Sequence, residues 1–162
     1  MKKLLLLLTI TLTLSCCNND DDTNTPTNPI DQLPPITQTG ANTFGFLVNG
    51  EPINVTNTSQ QTAIYQGGLL QFGAGGIFML VQEPFTINTQ NDLTGKARYL
   101  IDPNPQLGCH YELEDSYEGS VVFSKIDTDN FIISGTFQFS SVNNDCENVD
   151  ITSGRFDMQY IP

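Results

Sequence analysis

Residues 131–140 read FIISGTFQFS and carry the clearest structural signal in the chain. Apolar and polar side chains alternate along this segment: Phe131, Ile133, Phe137 and Phe139 against Ser134, Thr136, Gln138 and Ser140. Successive side chains of a β-strand point to opposite faces of the sheet, so one face of this segment is apolar and the other polar. Only Ile132 interrupts the alternation. The segment predicts a long, half-buried strand.

The flanking residues extend this strand into hairpins. Val121 and Phe123 alternate with polar neighbours in the same way, and the short polar residues 127–130 (DTDN) between the two runs favour a tight turn. A second hairpin is predicted near the start of the domain, where Asn49-Gly50 follows an alternating run. Both turns join strands that are neighbours in the sequence, so the predicted sheets are antiparallel.

The last strand changes phase. Apolar residues occupy odd positions at 149 and 151 but even positions at 156, 158 and 160. A strand cannot move its apolar side chains to the other parity without an additional residue. A β-bulge or kink is therefore predicted at Ser153-Gly154.

The remaining sequence indicates further strands and no long helix. Residues 77–81 (IFMLV) are apolar without interruption, which predicts a strand buried on both faces. No window of ten or more residues shows the helical period together with a cap. Eight to ten short strands separated by turn residues predict an all-β fold, an antiparallel β-sandwich or partly open barrel, over residues 42–162.

The charge balance excludes one class of partner. Six Lys and Arg residues stand against 18 Asp and Glu residues, which gives a formal net charge of -12. Such a surface repels phosphate backbones, so we expect no nucleic-acid partner. High acidity is also typical of disordered chains, but all ten phenylalanines follow Thr43 in alternating runs that require a core.

The N-terminus has the pattern of a secretory signal. Lys2-Lys3 precede an apolar region of 11 residues that is too short to span a membrane and ends at Ser15-Cys16-Cys17. A cysteine at this position resembles the lipobox of bacterial lipoproteins, in which the cysteine receives a diacylglycerol thioether before cleavage and its new N-terminus is then acylated. We predict a lipoprotein signal peptide over residues 1–16 with Cys16 lipidated; Cys17 is the alternative.

The segment after the lipobox predicts a tether and a destination. Residues 17–41 are rich in Asn, Asp, Thr and Pro and almost free of apolar side chains, which predicts a disordered tether. Asp20-Asp21-Asp22 resembles the surface-export signal of lipoproteins in the Bacteroidota; a solvated charge run is the alternative. We therefore expect an exported protein held at the outer membrane by lipid and exposed at the cell surface.

Cys109 and Cys146 are the two cysteines outside the N-terminal region. In an exported protein such a pair is expected to form a disulfide. Two free cysteines are the first alternative. The second is a reactive nucleophile with His110 as its base, but neighbours on a strand point to opposite faces, which disfavours this dyad.

The most suggestive polar cluster is His110, Glu112 and Glu114, with Asp115 and Glu118 nearby. At a spacing of two, the first three side chains share one face of a strand, where an imidazole and two carboxylates could bind a divalent metal. Alternate side chains on a strand are about 6–7 Å apart, which is wide for a single ion. The favoured interpretation is the polar face of a half-buried strand, with no cofactor.

Two sequence blocks carry a family resemblance. The first is residues 42–51 (NTFGFLVNGE), and the second is residues 133–139 (ISGTFQF) continuing to residues 151–160 (ITSGRFDMQY). With the lipobox and the acidic tether, they resemble a family of small lipoproteins from the Bacteroidota of unassigned function. Phe46 departs from the cysteine often found there. The resemblance implies an exported β-rich domain and supplies no catalytic residues.

No Ser-His-Asp set or nucleophile elbow is recognisable, so we expect a non-catalytic domain that binds an extracellular or periplasmic ligand or plays an accessory role. One alternative is a metal-dependent hydrolase that uses His110, Glu112 and Glu114. The other is a carbohydrate-binding module. The chain has no Trp, so aromatic platforms for sugars would come from tyrosines, namely Tyr65, Tyr99, Tyr111 and Tyr117.

Overall fold

The computed structural model describes residues 28–102, 104 and 107–162. Three short 3-10 helices occur there: Pro29–Gln32, Thr58–Gln60 and Leu113–Asp115. The same residues form eleven strands: β1 Thr43–Val48, β2 Glu51–Val55, β3 Gln61–Gln66, β4 Leu69–Ala74, β5 Ile77–Gln82, β6 Gln90–Asp92, β7 Ala97–Leu100, β8 His110–Tyr111, β9 Ser116–Asp127, β10 Ile132–Ser141 and β11 Val149–Gln159.

The strands build a β-sandwich, as predicted. Sheet 1 has the order β2-β1-β11-β10-β9-β6, sheet 2 has the order β3-β4-β5-β7-β8, and all pairs of these strands are antiparallel. The described strands form two sheets and not a closed barrel, and a single parallel bridge between Ile64 and Ile161 connects β3 to the residues after β11. The strand number exceeds the predicted eight to ten because β6 and β8 are three and two residues long, too short to show a period.

Both predicted hairpins are confirmed. Asn49 and Gly50 join β1 to β2 with positive φ angles of 49° and 90°, which a tight hairpin turn requires. Between β9 and β10, the Asp127 carboxylate closes the turn by accepting the backbone N–H groups of Asp129 at 3.1 Å and Asn130 at 2.9 Å. Short polar side chains thus satisfy the turn backbone locally.

The phase change in β11 is a bulge at the predicted position. Phe137 pairs with Gly154 and Phe139 pairs with Ile151, so two residues of β11 stand opposite one residue of β10. The additional residue is accommodated at Ser153, whose φ is 53°. The bulge keeps the apolar residues of both halves of the strand on the core side.

The core is a stack of aromatic rings from both sheets. The ring centroid of Phe72 in sheet 2 lies 4.9 Å from that of Phe156 and 5.9 Å from that of Phe123, both in sheet 1. Within sheet 1, the rings of Phe44 and Phe137 are 5.2 Å apart. Full burial of one such side chain contributes about 1.5–3 kcal/mol, so these rings are the main source of cohesion between the sheets.

Strand β5 differs from its prediction. Ile77, Met79 and Val81 are buried between the sheets, but Phe78 and Leu80 lie on the outer face of sheet 2 and are only half-buried. The uninterrupted apolar run therefore does not mark a strand covered on both sides. No described layer covers sheet 2 from outside, and part of its outer face is apolar.

Residues 28–41, called the strap below, run across the outer face of sheet 1. Leu33 is buried, with 6% of its surface exposed. The Arg155 guanidinium of β11 donates a hydrogen bond to the carbonyl of Pro34 at 3.1 Å. The strap is thus fastened to the central strand of the sheet.

Asp157 of β11 is the main attachment point of the strap, and 1% of its surface is exposed. Burial raises the pKa of this carboxyl, but hydrogen bonds, foremost those from two hydroxyls, outweigh burial and hold the pKa well below its usual range. Six donors lie 2.7 to 3.3 Å from the carboxylate oxygens: the hydroxyls of Thr37, Thr39 and Ser134 and the N–H groups of Thr39, Gly40 and Ala41.

The strap changes the expected domain organisation. Residues 17–41 were predicted to be a disordered tether; residues 17–27 lie outside the described chain, but residues 28–41 pack on the domain through Asp157 and Arg155. The prediction used the low apolar content of the segment, whereas its attachment is by hydrogen bonds. The partners are more than a hundred residues away, so composition could not reveal them.

Candidate functional site

A polar groove lies on the outer face of sheet 1, beside the strap. It consists of two adjoining depressions of about 400 and 510 Å3. Gln90, Ser120 and Gln138 line both depressions, so they form one continuous surface.

The antiparallel register brings the groove residues together. Gln138 of β10 stands opposite Ser120 of β9, and Ser140 stands opposite Glu118 on one side and Asp150 on the other. Side chains directly opposite each other have Cβ atoms about 4.5–5.5 Å apart. Four strands, β6, β9, β10 and β11, thus contribute polar side chains to one surface.

Most polar side chains in the groove have no partner among the described residues. Ser140 donates a hydrogen bond to Asp150 at 2.7 Å. Several others make no hydrogen bond or ion pair within the described residues, namely Gln90, Ser120, Thr136, Gln138 and Thr152. Amides and hydroxyls offer both donors and acceptors, so the groove can match a ligand with many hydroxyl groups.

The strap forms one end of the groove. Ile36, with 60% of its surface exposed, lines the groove together with Arg155, whose guanidinium also holds the strap. The floor is close-packed: a Cβ added to Gly154 would lie 2.6 Å from the Phe137 ring. The shape of the groove therefore depends on the docked strap and on the absence of a side chain at Gly154.

Sequence reasoning identified only part of this surface. The alternation along residues 131–140 correctly assigned Thr136, Gln138 and Ser140 to the polar face of a strand, but it did not mark them as a site. Gln90 was missed entirely, since β6 is too short for a period. Neighbouring strands supply half of the groove, and their register decides which side chains meet.

The structure contradicts the predicted arrangement of His110, Glu112 and Glu114. The strand ends at Tyr111, and the N–H of Glu112 donates to the Asp115 carboxylate at 2.8 Å, which turns the chain into a 3-10 helix. The three side chains therefore do not lie along one strand face. Among the described residues, no group of three or more His, Cys, Asp or Glu side chains is placed to hold a metal ion.

The residues around this turn have structural contacts instead. His110 Nε2 lies 2.8 Å from the carbonyl oxygen of Asp102, and the His110 carbonyl accepts a hydrogen bond from Asn143 at 2.8 Å. Asp115 caps the 3-10 helix as described above. Glu118, which was grouped with this cluster, lies in the polar groove. The histidine thus helps to join two loops.

Cys109 and Cys146 form the predicted disulfide, with their Cα atoms 6.0 Å apart. The bond connects the residue before β8 to the loop between β10 and β11. The hydroxyl of Tyr111 donates to the carbonyl of Glu147 beside it. Two contacts therefore tie sheet 2 to a loop of sheet 1, and Cys109 has no free thiol to act as a nucleophile.

The tyrosines proposed as sugar platforms differ in exposure. Tyr99 and Tyr111 are buried, with 7% and 3% of their surfaces exposed, and cannot stack on a ligand. The Tyr65 hydroxyl donates to Glu83 at 2.5 Å, and this hydrogen bond raises the pKa of Tyr65. Tyr117 is half-exposed, but it does not line the groove.

The predicted lipidation residues Cys16 and Cys17, and the export residues Asp20, Asp21 and Asp22, lie outside the described chain. Among the residues that the structure describes, no helix has the length and apolar character needed to cross a bilayer. A comparison with known proteins finds no protein family, no curated protein and no solved structure that matches this chain.

Proposed function

We propose that this protein is a lipid-anchored outer-membrane lipoprotein, exposed at the cell surface, whose β-sandwich is a non-catalytic binding module. The observation that carries the binding role is the polar groove on sheet 1. It combines a concave surface with amide and hydroxyl side chains that have no partner within the described residues. Convergent polar groups in a concave surface are what a binding site needs.

The ligand we propose is an uncharged, hydroxyl-rich molecule, and an oligosaccharide fits this chemistry. The groove contains many amides and hydroxyls but few charged side chains, which are Glu118, Asp150 and Arg155. Amides and hydroxyls can donate to and accept from sugar hydroxyls. The net charge of -12 disfavours polyanionic ligands.

The anchor is supported by the N-terminal sequence. A positive start, a short apolar region and Cys16-Cys17 are typical of a lipoprotein signal peptide. The described strap starts at residue 28, and residues 17–27 connect it to the proposed lipidated cysteine, Cys16. At about 3.3–3.6 Å per residue, this link spans at most roughly 40 Å. Such a link holds the domain close to the membrane surface.

The binding role is tested by probing a glycan array with the purified protein and then with a Gln90→Ala/Gln138→Ala variant. We expect selective binding to neutral glycans by the native protein and at least a tenfold loss in the variant, because two ligand-facing amides are removed. Gln82→Ala is the matched control, since Gln82 is exposed on sheet 2.

Two outcomes contradict the proposal. One is the absence of any bound glycan on an array that covers neutral and acidic sugars. The other is binding that survives in the Gln90→Ala/Gln138→Ala variant or disappears equally in Gln82→Ala. Circular-dichroism spectra of all three proteins must agree, so that a loss of binding reflects the groove and not the fold.

A further inference from the structure

The cations of the described chain are few, and one of them differs from the rest. Four Lys and Arg residues are described, and three have a polar partner: Lys96 with Asp92 at 3.3 Å, Lys125 with Asp127 at 3.2 Å and Arg155 with the carbonyl of Pro34 at 3.1 Å. Arg98 of β7 has no hydrogen bond or ion pair within the described residues.

Arg98 is nevertheless held in place. Its guanidinium carbon lies 4.7 Å from the centre of the Phe78 ring, and its Nε is buried without an acceptor among the described residues. Stacking of this kind is a cation–π contact, which fixes the guanidinium plane but leaves its hydrogen-bonding capacity unused. The two terminal nitrogens therefore carry donors for which the described chain offers no acceptor.

Arg98 lies beside a depression of about 340 Å3 on the outer face of sheet 2, remote from the polar groove on sheet 1. The register sets Thr62 of β3 opposite Gly73 of β4, and Phe78 of β5 opposite Arg98 of β7. Gly73 contributes no side chain between Thr62 and Phe78, and its own Cβ position is closed by the backbone carbonyl of Ile77. The room for a ligand is the depression itself, which Thr62, Phe78 and Arg98 line.

The lining of the depression contains no carboxylate, although Asp and Glu outnumber Lys and Arg threefold in the whole chain. The polar side chains that accompany Arg98 are uncharged Gln60 and Thr62, and the rest are apolar or glycine. A guanidinium without a competing carboxylate binds an anion through two parallel N–H bonds, and a planar carboxylate matches this fork best.

We propose that this depression binds the carboxylate of a ring-bearing organic acid. The two terminal nitrogens of Arg98 donate to the two carboxylate oxygens, and the ring of the ligand lies in the depression, beside Thr62 and Phe78. An aromatic acid and a uronic acid share this chemistry. The site does not depend on the proposed function, because it lies on the other sheet.

The experiment is an NMR titration of the purified protein with sodium benzoate and, separately, with sodium glucuronate. Benzamide and glucose are the uncharged counterparts. We expect benzoate or glucuronate to shift the backbone amide resonances of residues 60–62, 73–78 and 98–100, and the uncharged probe to leave them in place. Shifts caused by benzoate indicate that the site takes an aromatic ring, and shifts caused by glucuronate indicate that it takes a sugar ring.

Three variants test the assignment of the site. Arg98→Gln should weaken binding at least about tenfold, because it removes the charged fork. Thr62→Phe should weaken it similarly by filling the depression while leaving Arg98 intact. Lys96→Gln, which removes an exposed cation of the same part of the chain, should change affinity less than twofold. Amide spectra of each variant establish that it is folded.

Each remaining outcome overturns the proposal. It fails if neither acid shifts these resonances at 20 mM, or if benzamide shifts them as much as benzoate does. It also fails if Lys96→Gln weakens binding as much as Arg98→Gln, since general charge would then be responsible. Loss of glycan binding in the groove variants has no bearing on these results, so the two proposals fail separately.

Discussion

At the residue scale, Asp157 shows how one buried charge organises distant segments. Its carboxylate accepts hydrogen bonds from the strap and from Ser134 of β10, so it joins the N-terminal segment to two strands of sheet 1. A buried carboxylate is stable only when its oxygens are fully hydrogen-bonded. Ser134 lies on the face that the alternation predicted to be polar, yet it is buried, because its hydroxyl donates to the buried Asp157 carboxylate.

Replacing this carboxylate should destabilise the fold. In Asp157→Asn one carboxylate oxygen is replaced by an NH2 group, which faces N–H and O–H donors and cannot accept their hydrogen bonds. We therefore expect the free energy of unfolding to fall by about 2–4 kcal/mol. Urea denaturation followed by circular dichroism measures it. Asp150→Asn is the control, because exposed Asp150 should change stability by less than about 0.5 kcal/mol. Equal effects of the two substitutions would refute the assigned role.

The same residue should make stability depend on pH. Because the folded-state pKa of Asp157 is lowered, the unfolded state takes up a proton first as the pH falls, and the contribution of Asp157 to stability is lost progressively below about pH 5. The difference in unfolding free energy between the native protein and Asp157→Asn should therefore shrink from pH 7 to pH 3. A constant difference would contradict this account.

Another carboxylate with a lowered pKa does not disturb this comparison. The side-chain hydrogen bond from Asn130 is the main cause that lowers the pKa of Asp127, to about 2. Asp127 closes the β9–β10 turn in the native protein and in the Asp157→Asn variant alike, so its contribution cancels in the difference.

At the element scale, the strap links two segments that are far apart in the sequence, residues 42–51 and residues 151–160. Gly45, from the first segment, leaves room for the Pro34 ring; a Cβ at residue 45 would also lie 2.8 Å from Asn54 Oδ1. Arg155 and Asp157, from the second segment, bind the strap directly. Both segments therefore contain residues that hold the strap in place.

Strap docking can be tested with Gly45→Ala. The added methyl overlaps the Pro34 ring, so the strap should be displaced and the N–H groups of Gly40 and Ala41 should lose protection against hydrogen exchange. Because Pro34→Ala removes the ring, the Pro34→Ala/Gly45→Ala variant should regain protection, with a coupling energy of about 0.5–3 kcal/mol. Unchanged protection in Gly45→Ala would show that the strap does not depend on this contact.

The disulfide acts on the same scale, because it ties the short edge strand β8 to a loop of sheet 1. Cys109 and Cys146 are 37 residues apart, and closing a loop of that length should stabilise the fold by about 3–4 kcal/mol. We expect the Cys109→Ala/Cys146→Ala variant to lose this amount in urea denaturation. Adding a reductant should destabilise the native protein but not the variant; a loss below about 1 kcal/mol would contradict the prediction.

At the scale of the whole molecule, the strap lies between the proposed lipid anchor and the β-sandwich. In the proposed arrangement, the docked strap lies between the lipidated cysteine and the groove, so its attachment would limit the distance of the groove from the membrane. The anchor itself rests on the sequence of residues 1–22. A lipidated cysteine with two or three acyl chains holds a protein at a membrane far more firmly than one chain does.

Metabolic labelling with a radioactive fatty acid tests this anchor. The native protein should incorporate label, and Cys16→Ser/Cys17→Ser should not, because it lacks a thiol at the lipobox. The single variants decide which cysteine is modified, with Cys16→Ser expected to abolish labelling. Label that persists in the double variant, or a mature protein that still begins at Met1, would rule out lipidation.

Local patterns determined much of this protein. Period-two alternation of Phe137 and Phe139 predicted the main strand, short polar residues predicted the hairpin turns, and the phase change predicted the bulge at Ser153. These features depend on neighbours in the sequence, because the side-chain direction in a strand and the backbone of a turn are local properties. The class of fold followed from them.

Tertiary structure decided the features that depend on distant partners. Phe131 continued the apolar alternation but lies in the turn at a φ of 55°, with 41% of its surface exposed. The strap docks through Asp157, and Glu112 leaves the strand because Asp115 captures its amide. The polar groove exists only because the registers of four strands coincide. Strand register and long-range hydrogen bonds depend on the packing of segments that are distant in the sequence, so a local sequence pattern does not predict them.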